Sequence, residues 1–338
     1  MVAAVFAIAL SLPLSAQQDA LLAPLPVRDQ FLLGNGFFFF APEPAKVLAV
    51  DENLVTVGLT DSNTFAKSEW VSRSLRGQSG RISAPDELAN PRFRSVAPTF
   101  LVDGEVRRLD VSMRRGFGHN FELGVTIPVS TLGGGWSDEL IEVTHHGLGL
   151  GNDQRELLDR NLETVYLQSG MLQPAGGVHL GDIALTGKYE FALFSLSAAI
   201  EVPTGDAHSL AGSGSVDAGL QLIGSRDFAE MRVDASLGML GLGRNRLLGT
   251  PAQVLITDSV AISRLINKRT AVTVQLTVSE SPFRRLGIAE FDRRCNQLSA
   301  GVRRQIGPVV VYMAFIENLL NYENSADAGL AWGVARKF

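Results

Sequence analysis

The sequence predicts an all-β chain folded as a transmembrane, antiparallel, up-and-down β-barrel of about 12 strands. Three observations carry this expectation. The chain ends on a period-two stretch: Ala328, Leu330, Trp332 and Val334 share one face, Asp327, Gly329, Ala331, Gly333, Ala335 and Lys337 share the other, and Phe338 closes the apolar face. Segments alternating in the same way recur from about residue 46 onward. The links between them are alternately short and long, as in barrels that cross a membrane with strands.

At the N-terminus, Val2 to Leu14 is a short apolar run followed by Ser15-Ala16 and Gln17-Gln18. Residues 1–16 read as a signal peptide, because the run is shorter than the roughly 20 residues of a spanning helix. The signal is atypical. No Lys or Arg precedes the run, and Leu14 stands where a small residue is usual. The expected destination is the outer membrane of a Gram-negative bacterium, and a terminal aromatic is what the last strand of such a barrel carries. Residues 17–45 are expected to form a periplasmic lead-in. Phe37 to Phe40 is an aromatic run between Gly36 and Pro42. It could plug the periplasmic mouth, lie in the membrane interface or lead into the first strand, and a lead-in packed against the barrel is preferred.

Residues 46–338 form the barrel. Its expected strands are 46–59, 105–116, 119–130, 179–191, 192–203, 213–225, 227–241, 252–266, 268–280, 295–306, 307–318 and 326–338. Gly116 to His119, Phe191-Ala192, Ser225-Arg226, Asn267-Lys268 and Gly307-Pro308 mark short periplasmic turns. The long links are expected outside, above all 60–104 and 131–178. Both termini then lie in the periplasm, and the first strand pairs with the last so that no edge is left open.

Face assignments follow the period. Leu109, Val111 and Met113 face lipid while Arg108, Asp110, Ser112 and Arg114 face inward. Likewise Val272, Val274, Leu276 and Val278 oppose Thr273, Gln275 and Thr277. Three places break the pattern. Val309-Val310-Val311 is apolar on both faces. Asp258 and Arg264 fall on lipid-facing positions, which suits strand ends or a bulge. Arg336 also faces lipid, where its guanidinium can reach the interface.

Composition narrows the function. The chain has 338 residues, 46% hydrophobic and 19% charged, with a formal net charge of −5. That charge, without a basic cluster, argues against a nucleic-acid partner. The single Cys295 excludes an internal disulfide and any Cys-rich metal site, and is read as structural.

Several islands together resemble a bacterial domain-of-unknown-function family, number 3187. They are Asp103-Gly104-Glu105; Asp138 to His146 (D-E-L-I-E-V-T-H-H) with Arg155; Pro203-Thr204-Gly205-Asp206; Gly212-Ser213-Gly214 with Asp217; and Glu317-Asn318. Asn318 stands where the family usually carries Asp. The resemblance covers most of the mature chain and implies an outer-membrane barrel, with no activity attached.

Two groups of residues are candidates for function. The wall candidates, predicted to face inward, are Arg108, Asp110, Arg114, Glu122, Asp182, Lys188, Glu190, Glu201, Asp217, Arg232 and Asp234, with Arg303 beside them. They carry both signs and could pair across strands. The second group, Asp138, Glu142, His145, His146 and Arg155, lies in the 131–178 link. That link is too long for a bare hairpin. Ser137 could cap a short helix, with Asp138 and Glu139 favourably placed at its start. Glu142 with His145 or His146 has metal-ligand spacing, but two ligands fall short of the usual three or four, so no metal is assigned. The preferred reading is a loop folded inward onto charged lumen walls. A lipid hydrolase is a weaker alternative, since no Ser–His pair falls on a lipid-facing strand surface.

The expected function is therefore a monomeric channel or uptake barrel for a small solute, with no cofactor and no catalytic residues. Its surroundings are outer-membrane lipid, and its C-terminal strand is expected to engage the barrel-assembly machinery. A structural barrel with partner-binding outer loops is the second reading.

Overall fold

Strands β1 (Asn53–Lys67), β2 (Leu101–Phe117) and β3 (Phe121–Gly133) begin an antiparallel wall. It continues through β7 (Ile183–Phe191), β8 (Phe194–Val202), β9 (Asp217–Phe228), β10 (Met231–Leu242), β11 (Gln253–Asn267), β12 (Thr270–Ser279), β13 (Cys295–Ile306), β14 (Val309–Asn318) and β15 (Ala328–Lys337). The computed structural model describes residues 16–83, 99–149, 151–161, 163–167, 170–320 and 323–338. The expected signal peptide, up to Ser15, lies outside the described residues. Each strand pairs with the next, and β1 pairs with β15 without a break from Leu54↔Lys337 to Asn63↔Ala328. The result is a closed up-and-down barrel of twelve strands among the described residues. Three short strands, β4 (Thr164–Leu167), β5 (Gly170–Leu172) and β6 (His179–Leu180), extend the outer rim.

The alternation in sequence is the alternation in space. Val274 is 53% exposed on the outer face, between Ile262 and Ala300, whereas its neighbour Thr273 is buried and bonds the Ser263 hydroxyl at 2.8 Å. The same outward apolar set runs around the wall through Leu123, Leu185, Leu196, Leu222, Met239, Met313 and Trp332. Val310 turns inward to pack on Leu21 and Leu22, which resolves the ambiguous Val309–Val311 stretch. Arg264 lies near the periplasmic end of β11, beside a register shift at Leu265/Asn267. Asp258 lies neither at an end nor at a bulge. It sits within β11 in continuous register with Leu237 and Val278. Arg336 covers the Phe338 ring at 4.7 Å.

Two expected placements are corrected. The sequence predicts residues 17–45 as a periplasmic lead-in packed against the barrel, and 46–59 as its first strand. Instead, the chain after α1 (Ala16–Leu21) enters the lumen and climbs past Leu25. It turns at the outer end through Phe31 to Phe38 and returns to the periplasmic end at Lys46–Leu48. Only then does β1 begin, at Asn53. The physical reason lies in the wall. A twelve-stranded lumen is wider than the eight-stranded kind that side chains alone fill. The wall side chains offer hydrogen bonds to a backbone passing between them.

The second correction concerns the 131–178 link. Following α2 (Glu69–Leu75) in the preceding link, it carries α3 (Asp138–Leu148) and folds over the outside of the barrel, not inward. Asp61, Asn63, Glu105 and Arg107 lie on the outward face of β1 and β2 above the apolar band, and this link covers them. Glu105 accepts from the Trp136 and Ser137 amides at 2.9 and 2.5 Å, and Asp61 accepts from Trp136 Nε1 at 3.1 Å. Outward carboxylates at the rim need donors, and the link supplies them.

Because Val274 faces lipid and Thr273 faces in, Val274→Arg should cost about 2–4 kcal/mol of insertion stability. Thr273→Ser should leave insertion unchanged. Heat-modifiable migration of the refolded barrel distinguishes the two.

Candidate functional site: the occupied lumen and the outer loop platform

A backbone that runs through a lumen without joining a sheet must find a partner for each buried N–H and C=O. Prolines 24, 26, 42 and 44 reduce the demand, because proline has no N–H. Wall side chains meet much of the rest. Gln275 brackets Leu25, accepting from its N–H at 3.1 Å and donating to its carbonyl at 3.2 Å. Thr64 accepts from the Leu32 amide, Asp217 from Phe38, Ser225 from Ala45, Glu190 from Val47 and Glu122 from Leu48. In the other direction Arg108 donates to the Asn35 carbonyl at 3.1 Å, Lys188 to the Pro44 carbonyl at 3.1 Å, and Arg303 to the Pro24 carbonyl.

Arg28 closes the turn from within. Its guanidinium donates to the Phe37 and Asn35 carbonyls at 2.6 Å each and lies over the Phe39 ring at 5.7 Å. Around this turn the outer loops contribute an apolar cap. Phe31 and Phe37 pack edge-on against Phe283 at 5.6 and 5.8 Å, and Phe291 packs on Phe100 at 4.5 Å. Leu210 and Leu248 complete the cap. Phe40 rests on bare backbone of the wall, since a Cβ on Gly219 would come within 2.7 Å of its ring.

Ion pairs fix the periplasmic half. Glu43 on the returning segment sits 2.9 Å from both Lys188 and Arg114, and Glu122 sits 3.0 Å from both of the same cations. Arg232 is joined to Asp19 at 2.8 Å and to Asp227 at 2.6 Å. A chamber of about 240 Å³ remains, bordered by Arg108, Asp110, Arg114 and Arg303 and by apolar groups such as Phe39, Phe40 and Pro24.

All eleven wall candidates lie on the inner face, but they act mainly on the N-terminal segment and less on one another. Arg108, Arg114, Glu122, Lys188, Glu190, Asp217 and Arg232 bind it directly. Asp110 steadies Arg108 at 2.9 Å, and Asp234 accepts from the same Ser225 hydroxyl that receives the Ala45 amide. Asp182 serves the rim, taking the Gly205 and Ser213 amides at 2.7 Å each, and Glu201 faces Arg28 and Arg108. The partner missed from sequence was the segment 19–48. The signal for it was four prolines and five phenylalanines, Phe31 and Phe37 to Phe40, in a stretch too irregular for a strand.

The loop candidates divide. Arg155 is a hub, donating to Asp138, Asn63 and Asp327 at 2.7 Å each and stacking over Phe65 at 4.6 Å. Asp138, at the start of α3, also accepts from Asn63 and from the Asn161 amide. Glu142 is held by Arg81 at 2.7 Å and Arg160 at 2.5 Å, so guanidinium groups take the place a metal would need. His145 borders a cavity on the outer face, and His146 is exposed in the last turn of α3.

Closed strands, lipid-facing apolar band and filled lumen define the class as a transmembrane β-barrel of the outer-membrane type. The chain belongs to the family described as "Protein of unknown function (DUF3187)", whose model matches residues 72–338. No curated protein matches it. Among similar solved structures is the COG4313 outer membrane channel from Pseudomonas putida F1, at 13% identity over 89% of this chain and 100% of that one, TM-score 0.56. Others are the P. putida toluene transporter TodX (12% identity, 86% and 90% covered, TM-score 0.43) and the translocator domain of NalP from Neisseria meningitidis (7%, 87% and 91%, 0.42). The first shares the fold.

Two outcomes follow. Glu43→Ala removes charged hydrogen bonds worth about 1.5–3 kcal/mol each. It should free the returning segment, seen as faster tryptic cleavage at Lys46 of the folded barrel. For Glu142, burial pushes the carboxyl up, but hydrogen bonds from Arg160 and Arg81 outweigh it and hold the group below its usual value. A depressed carboxylate stabilises above the ordinary range, and that contribution is lost as pH falls through the depressed value. Below about pH 4.5 the outer loop should therefore become protease-sensitive, and Glu142→Gln should show that sensitivity already at pH 7.

Proposed function

We propose that this protein is an outer-membrane channel for a small solute, gated by its own N-terminal segment. One observation carries the reading: residues 19–48 occupy the lumen through hydrogen bonds, ion pairs and apolar packing, and form no strand of the wall. The chamber of about 240 Å³ beside the segment, edged by both charge signs and by apolar groups, suits a small solute better than a large or strongly anionic one. The channel named in the Pseudomonas putida structure of similar fold is consistent with this reading. Export through the N-terminal signal, and engagement of the assembly machinery by the strand ending at Phe338, belong to the same proposal.

The sealed outer mouth favours a second reading, a structural barrel that presents its outer loops to a partner. Planar-bilayer recording separates the two. The full-length barrel should be silent or open in brief small steps, and a chain lacking residues 19–48 should give large sustained conductance. A folded deletion barrel that stays silent would reject gating and favour the structural reading. Equal large conductance from both proteins would reject the segment as a gate.

A further inference from the structure

Outside the lumen, a cavity of about 840 Å³ lies between α3 and the outer face of β14, β15 and β1. Its floor is the top of the lipid-facing band, Phe315 and Leu330. Its roof is Trp136, Leu140, Ile141 and Thr144 from the link that folds over the rim. The volume falls within the roughly 300–1,000 Å³ range of small-ligand sites. The wall beneath it is unbroken, because β1–β15 and β14–β15 stay in register through Leu330. The cavity is therefore a binding place beside the barrel, not a side door into the lumen.

Its polar edge carries Asp61, Glu317 and Asp327, with His145 and with Asp153, which is paired to Lys67. Asp61 is taken by Arg107 and Trp136, and Asp327 by Arg155. Glu317 borders the same cavity on the outward face of β14. Among the described residues no hydrogen bond or ion pair engages its carboxylate. An apolar floor continuous with the lipid-facing band meets, at the outer edge, a carboxylate with no partner among the described residues, which suits an alkyl chain with a protonated amine in its head group.

We propose that this cavity binds an amine-headed membrane lipid, with the chain laid along Phe315 and Leu330 beneath α3 and the ammonium group on Glu317. An anionic head would meet the Glu317 carboxylate, with no guanidinium beside it among the described residues, and be disfavoured. The site does not depend on the lumen or on gating.

Trp136 provides the readout. With Trp70 and Trp332 replaced by Phe, it is the only tryptophan of the chain. The barrel is placed in phosphatidylcholine nanodiscs doped with chain-brominated phosphatidylethanolamine or, separately, chain-brominated phosphatidylglycerol. Brominated phosphatidylethanolamine should quench Trp136 at a mole fraction at least threefold lower than brominated phosphatidylglycerol. Glu317→Gln should abolish that preference. Thr144→Phe, which narrows the cavity from its roof, should weaken quenching by the amine-headed lipid while the barrel still folds. Equal quenching by the two lipids, or a preference that survives Glu317→Gln, would overturn the proposal.

Discussion

An unpaired backbone inside a membrane-spanning wall cannot hydrogen-bond to lipid and meets little water, so each of its amides and carbonyls needs a protein partner. The inner face of this barrel answers that need. Gln275 takes both polar groups of Leu25, the carboxylates of Asp217, Glu190 and Glu122 receive successive amides, and Arg108, Lys188 and Arg303 cover carbonyls. The wall charges that looked like a pore lining are thus largely occupied by the chain's own N-terminal segment. Aromatic packing of Phe31, Phe37, Phe283 and Phe291 adds an apolar lock at the outer end.

The same constraint, met from the other side, shapes the outer rim. Strands β1 and β2 rise beyond the apolar band, and there their outward residues change from Val57, Leu59 and Leu109 to Asp61, Asn63, Glu105 and Arg107. These groups need donors and acceptors, and the link bearing α3 supplies them through Trp136, Ser137, Asp138 and Arg155. Arg155 ties three acceptors from three separate segments, so one guanidinium holds the link, β1 and the approach to β15 together. Breaking such a buried arrangement by removing one partner is costly, because it leaves buried charge without compensation.

The wall was legible because its signal is repetitive. Leu109 to Met113 against Arg108 to Arg114, or Val272 to Val278 against Thr273 to Thr277, states the face at every second residue, and Cys295–Ile306 matches the expected strand at both ends. The inner position of Glu190 or Lys188 follows from the same period. What those side chains bind does not, because the partner lies about 145 residues away and has no period of its own. Residues 46–50 read as a strand start because Val47, Ala49 and Val50 are apolar, yet Glu190 and Glu122 claim the Val47 and Leu48 amides before any ladder can form. The direction of the α3 link was also hidden. Its acidic helix start suited charged lumen walls as well as the rim, and only the outward phase of Glu105 and Asp61 separates the two.

The segment inside this barrel is held by polar contacts along the wall and by apolar packing of Leu21, Leu22, Leu25 and the turn from Phe31 to Phe38. The ladder of the wall does not run through this segment, since β1 to β15 are bonded to one another. Amide hydrogen exchange on the folded barrel in lipid tests this arrangement most directly. The amides of Leu25, Leu32, Phe38, Val47 and Leu48 should be protected far beyond an open chain, and should exchange sooner than the ladder amides of β11 and β12. Exchange of residues 19–48 at the rate of an unstructured peptide would contradict the account.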